Sequence, residues 1–82
     1  LKPGAATARF NRGNVRFRQG NYKEAVLDFE AAVRAEPQFG KAYHALGLAR
    51  ISLGQREVGC LNLKQADKLG YPDAQDAVTA YC

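Results

Sequence analysis

Residues 10–25 read FNRGNVRFRQGNYKEA, and residues 44–59 read HALGLARISLGQREVG, one step of 34 residues later. The residues that recur across this step are Gly13 as Gly47, Gly20 as Gly54 and Arg16 as Arg50. A period of about 34 residues with small residues at fixed places is typical of helix-turn-helix units that stack. The period therefore predicts paired helices that bury a shared core and present a concave face.

Helical segments are predicted from the spacing of apolar residues and from the residues that end helices. These segments are 5–19, 22–36, 39–53 and 56–69, followed by a fifth that Pro72-Asp73 opens. Pro3-Gly4 predicts a loop or a helix start, and Gly70 is expected to take the left-handed conformation that closes helices. No segment reads as a strand. The predicted fold class is all-α, with short turns joining five helices.

The fifth segment is predicted to be an amphipathic capping helix. Its apolar residues recur at helical spacing, and they are Ala74, Ala77, Val78 and Tyr81. Its other face carries Gln75, Asp76 and Thr79. A terminal helix of a stacked array needs one wet side, so the four apolar residues are expected to face the preceding helix.

The first unit resembles the tetratricopeptide repeat family. The resemblance rests on the stretches Phe10-Asn11-Arg12-Gly13-Asn14 and Gly20-Asn21-Tyr22, followed by Glu24-Ala25, Phe29, Ala32 and Pro37. The second unit repeats it with Tyr43, Leu46, Gly47, Gly54, Gly59, Leu63 and Ala66. The implied architecture is one domain over 1–82, a superhelical solenoid with repeat one at 6–39, repeat two at 40–71 and a cap at 72–82.

This resemblance implies a protein–protein interaction module that binds a peptide or protein segment in a shallow concave groove. In that family the first helix of each repeat lines the groove. The positions that match are Phe10, Asn14, Phe17, Lys41, His44, Leu48 and Ile51. Asn14 suits a peptide backbone because its amide both donates and accepts, and Lys41 suits a carboxylate. For Phe10 and Phe17 the alternative is packing against the next helix.

The basic excess lies at the start of the chain. The formal net charge is +4, and residues 1–18 hold five basic residues and no acid. Arg9, Arg12 and Arg16 stand where the family often has aromatic residues or leucine. Their face is either a solvated outer edge or a surface that docks an acidic partner. An assembly or oligomerisation scaffold, joined through this face or the cap, is therefore the alternative function.

Two cysteines, Cys60 and Cys82, are a candidate disulfide pair. The alternative is a buried thiol at Cys60 and a free Cys82. The ending from Gly59-Cys60 through Tyr81-Cys82 resembles the tail of bacterial repeat proteins, some of them exported. Bridged cysteines would indicate a periplasmic or exported protein, and free cysteines a cytoplasmic one.

The sequence offers little for catalysis. His44 is the only histidine, Ser52 the only serine, and no phosphate-binding loop occurs. No enzymatic activity, cofactor, metal or small-molecule substrate is expected, and two thiols with one histidine do not make the usual zinc site. No apolar run approaches the roughly 20 residues of a membrane span. Nucleic-acid binding is the least favoured alternative, because the chain after residue 18 is slightly acidic. The chain is expected to act within a larger protein or as a weak homo-oligomer.

Overall fold

A computed structural model describes residues 4–82, which form five α-helices and no strand. The helices are α1 (Ala5–Arg18), α2 (Tyr22–Ala35), α3 (Gly40–Ser52), α4 (Arg56–Lys68) and α5 (Ala74–Tyr81). The predicted all-α class and the number of helices in this part of the chain are confirmed. The prediction at Pro3 lies outside the described residues.

The turn before α5 differs from the prediction. Pro72 was expected within the first turn of α5, whereas the helix begins at Ala74. The reason is a separate turn in which the Ala74 N–H donates to the Tyr71 carbonyl over 3.1 Å. Pro72 lies inside that turn, where its missing N–H costs no hydrogen bond.

The turns inside the two helix pairs have the same geometry. Gly20 and Gly54 both have φ of 81°, a left-handed conformation that side chains disfavour. After each glycine the next N–H donates back to an arginine carbonyl over 2.8 Å, Asn21 to Arg16 and Gln55 to Arg50. Gly70 closes α4 with φ of 86°, which confirms its predicted conformation.

The helices pack in chain order. α1 packs against α2 and α3 against α4, while α2 joins the two pairs by packing against α3. The apolar core lies between α1, α2 and α3, and its largest members are Phe10, Phe29 and Leu46. α1 and α3 both pack against α2 and also contact each other, so they lie side by side. Together they carry the candidate site.

Small residues at the α3–α4 crossing let the two backbones approach closely. A Cβ on Gly47 would lie 2.8 Å from the Gly59 carbonyl oxygen and 2.8 Å from Leu63 Cγ. A Cβ on Gly59 would meet the Gly47 carbonyl oxygen at the same distance. Any side chain at either position would push the helices apart, which explains glycine inside both helices despite its cost of about 1 kcal/mol.

The last helix, α5, packs on α4 through two alanines. Ala74 and Ala77 are buried, as predicted, and Val78 is half-buried. Tyr81 was expected on the same buried face, but 45% of it is exposed. It is the last residue of α5 and lies one turn beyond Ala77, so α4 does not cover it.

Candidate functional site

A depression between α1 and α3 brings most of the predicted peptide-binding residues together. Its volume is about 160 Å³. We call it the α1–α3 groove, and it is lined by Phe10, Asn14, Phe17, Phe29, Lys41, His44, Ala45, Leu48 and Tyr71. Six of the seven predicted residues are in this set. Helical spacing explains the grouping, since Phe10, Asn14 and Phe17 lie on one face of α1.

The floor of the groove is aromatic. Phe10 is only 6% exposed, and its ring packs 5.7 Å from Phe29 and 5.1 Å from Phe39, measured between centroids. Phe17 is half-buried and meets the edge of Tyr22 at 5.2 Å. Both phenylalanines therefore pack against other aromatic side chains, as the alternative prediction had it. They also line the groove, and their contact with a peptide stays a prediction.

Polar groups surround this apolar floor. The Lys41 ammonium lies 5.5 Å from the centre of the Phe10 ring, within cation–π range, while its side chain stays exposed. Asn14 is half-buried at the groove wall. An aromatic floor with one cation and one amide at its edge suits a segment that combines an apolar side chain with a carboxylate.

The far wall is formed by His44 and Tyr71, whose rings are tilted at 51° to each other with centroids 5.0 Å apart. Burial lowers the pKa of His44, and the negative charge of Asp73 partly offsets this by raising it. Burial also raises the pKa of Tyr71, as do the charge of Asp73 and the hydrogen bond that the Tyr71 hydroxyl donates to it over 3.5 Å. Both rings are thus held in their neutral forms near neutral pH.

One predicted residue, Ile51, does not line the groove. A Cβ on Gly59 would lie 2.7 Å from the Cγ1 atom of Ile51. Ile51 therefore packs at the α3–α4 crossing. Sequence reasoning in turn missed three lining residues, Phe29, Ala45 and Tyr71. Ala45 had a signal, because it follows Lys41 by one helical turn. Tyr71 had none, since only the packing of the chain brings that turn beside His44.

Three of the four arginines of α1, Arg9, Arg12 and Arg16, surround a buried carboxylate. Asp28 on α2 is 1% exposed. Arg12 donates to it through Nε at 3.0 Å and through a terminal nitrogen at 2.7 Å, and this hydrogen bond, with the charge of Asp28, raises the pKa of Arg12. Arg16 and Arg9 approach Asp28 at 3.3 Å and 3.8 Å. About half of each of two of these side chains remains exposed, 53% of Arg9 and 51% of Arg12.

Asp28 was not singled out from the sequence, although a signal existed. Counted from Ala25, Asp28 is at i+3 and Ala32 is at i+7, so Asp28 lies on the buried face of α2. A carboxylate at such a position needs a partner to offset its desolvation. The three arginines supply that partner from the neighbouring helix.

Cys60 on α4 and Cys82 after α5 lie side by side. Their Cα atoms are 5.9 Å apart, inside the range that disulfides need, and the structure joins the two sulfur atoms. The link ties the end of α5 to the middle of α4. Tyr71, in the turn between these helices, belongs to the groove wall.

In residues 4–82 no helix is both long and apolar enough to cross a membrane. Across the same stretch, no group of three or more His, Cys, Asp and Glu side chains could hold a metal ion.

In a comparison with known families, the family model described as Tetratricopeptide repeat matches residues 6–39. This range covers all of α1 except Ala5, and the whole of α2. The five helices and their pairwise packing are consistent with repeats of this kind. Repeats of this family are non-catalytic modules that generally mediate interactions with other proteins.

Proposed function

We propose that this chain binds a short segment of another protein in the α1–α3 groove, because residues 6–39 match the model of the tetratricopeptide repeat, a family whose repeats generally bind other proteins. The observation that carries the proposal is the gathering of an aromatic floor, Asn14 and Lys41 in one depression. The proposal treats residues 6–39 and 40–71 as two repeats and 72–82 as their cap. No catalytic step is part of it.

The groove favours one kind of segment. Phe10, Phe17 and Leu48 offer apolar contact for one anchoring side chain. Lys41 offers a positive charge beside that anchor, and Asn14 offers hydrogen bonds to an extended backbone. A volume of about 160 Å³ leaves room for little more than the anchor. Binding by this chain alone is therefore weak, and neighbouring sites would be needed for high affinity.

A random heptapeptide library displayed on phage tests the proposal. Selection on the full chain should enrich peptides with an apolar residue next to Asp or Glu. An enriched peptide should bind Leu48→Lys about tenfold more weakly, because a charge replaces an apolar contact. Lys41→Gln should weaken binding about threefold, as expected of one exposed ion pair.

The matched control is Leu61→Lys on α4. Leu61 is 65% exposed and lies outside the groove. If peptides bind Leu48→Lys and the wild-type chain equally well, the groove is not the binding site. The same conclusion follows if Leu61→Lys weakens binding as much as Leu48→Lys does.

Self-assembly is the second candidate function. It is favoured by the exposed guanidiniums of Arg9 and Arg12, which Asp28 does not bury. Sedimentation that depends on protein concentration, and that is weakened by Arg9→Gln at the arginine farthest from Asp28, would support assembly. A strict monomer at all concentrations would favour the peptide-binding function alone.

A further inference from the structure

Each helix pair contains the same arginine contact. Arg16 and Arg50 are 34 residues apart, and so are their partners Asp28 and Asn62. An Arg16 terminal nitrogen lies 3.3 Å from an Asp28 carboxylate oxygen. The equivalent nitrogen of Arg50 donates to the Asn62 side-chain oxygen over 3.0 Å. The arginine of the first helix thus contacts the second helix of its own pair in both units.

Arg50 makes a second contact that Arg16 lacks among the described residues. Its other terminal nitrogen donates to Glu30 on α2, the helix that precedes its own pair. This ion pair crosses the boundary between the pairs, and it leaves the Arg50 side chain only 16% exposed. The Arg16 side chain is 34% exposed, because no helix in residues 4–82 covers α1 as α2 covers α3.

The outer face of α1 differs from α3 in a way that selects its partner. Tyr43 and Leu46 of α3 stand where α1 has Arg9 and Arg12. Leu46 is 2% exposed and packs in the core, whereas half of Arg12 is exposed. Three guanidiniums and the single carboxylate of Asp28 leave this face with a net charge of +2. An apolar helix does not suit such a surface, and an acidic one does.

We propose that the outer face of α1 binds an acidic α-helix of a partner protein, which presents a carboxylate to Arg16 as α2 presents Glu30 to Arg50. Arg9 and Arg12 then meet further carboxylates one turn away on the same partner helix. None of these arginines lines the α1–α3 groove, so this surface is distinct from the proposed peptide site.

Three probes of equal negative charge test the proposal against the full chain. The first is a blocked peptide of about 20 residues with Glu at every fourth position and Ala between, long enough to be helical. The second carries two central Ala→Pro changes that break the helix. The third is single-stranded oligothymidylate. The helical peptide should bind at least about fivefold more tightly than the proline peptide or the oligothymidylate. Its binding should shift backbone amide resonances of the protein in residues 5–18 and not in α3.

Charge-neutral variants locate the contact. Arg16→Gln should weaken binding of the helical peptide about fivefold. Arg9→Gln is a second variant, because its 3.8 Å approach to Asp28 matters least to the fold. Arg56→Gln, an exposed arginine on α4, removes the same charge elsewhere and should leave binding unchanged. Equal binding of the helical and proline peptides, tighter binding of the DNA, or an equal loss in Arg56→Gln would each overturn the proposal.

Discussion

Asp28 is the only charged side chain that is fully buried in the described part of the chain. Its carboxylate is compensated by arginines whose own charges stay partly in water. This arrangement avoids the full desolvation cost of a buried ion pair, because only one partner loses its hydration. The α1–α2 crossing is therefore held by a polar contact as well as by Gly13 and Phe29.

Removing the charge of Asp28 should destabilise the fold. In Asp28→Asn the amide lacks the negative charge and directs N–H groups at the guanidiniums, so we expect the free energy of unfolding to fall by about 2 kcal/mol. Urea denaturation measures it. Asp67→Asn, an exposed acid on α4, is the matched control and should change little. Equal stability of Asp28→Asn and the wild type would contradict this account.

His44 should make stability depend on pH. Burial lowers its pKa in the folded state below the ordinary 6.5, so the unfolded chain takes up a proton first as pH falls. Its contribution is complete above about pH 6.5 and is lost as pH falls through the folded-state pKa. When the pH is lowered from about 7.5 to 5.5, the urea concentration at the midpoint of unfolding should therefore fall more for the wild type than for His44→Gln. Parallel pH curves for the two proteins would exclude His44 as the cause.

At the scale of helices, the α3–α4 crossing tolerates no side chain at Gly47. A leucine there would collide with the Gly59 backbone and with Leu63, and overpacking of this kind costs roughly 1–3 kcal/mol. The melting temperature of Gly47→Leu should fall accordingly. Lys64→Leu adds a leucine at an exposed position of α4 and should leave it nearly unchanged. An unaltered melting temperature in Gly47→Leu would refute this assignment of the crossing.

The link between Cys60 and Cys82 should stabilise the packing of α5 on α4. It closes a loop with a sequence separation of 22, for which the chain-entropy relation gives about 3 kcal/mol. Dithiothreitol should lower the melting temperature of the wild type and leave Cys82→Ser unaffected. Thiol titration of the denatured, unreduced protein provides the direct check, since two free thiols would exclude the bridge. A bridge in the isolated native protein would indicate an oxidising compartment.

At the scale of the whole molecule, the two helix pairs and α5 pack together as one unit. The Cα radius of gyration is 11.5 Å, close to the roughly 12 Å expected for a domain of this length. The groove is small, and the outer face of α1 is charged, so neither surface resembles the apolar interface of a stable dimer. The chain is therefore expected to meet its partners through weak contacts.

Small-angle X-ray scattering tests this expectation. The radius of gyration should stay near the value of a single chain as protein concentration rises, because neither the groove nor the outer face of α1 has the apolar area of a stable dimer interface. Arg9→Gln, which removes one charge at the arginine farthest from Asp28, serves as the comparison. A radius that grows with concentration in the wild type but not in the substituted chain would favour the assembly function instead.

The sequence by itself determined the helices, their turns and most of the groove. The 34-residue recurrence of Gly13 and Gly20 fixes where helices cross and turn, and helical spacing alone places Phe10, Asn14 and Phe17 on one face. Such features are local, so residues near in sequence specify them. The tertiary structure alone decided that Tyr71 packs against His44, that Ile51 packs at a crossing, and that Arg9, Arg12 and Arg16 surround Asp28. These contacts join side chains on different elements, and only the packing of one helix against another sets their distances.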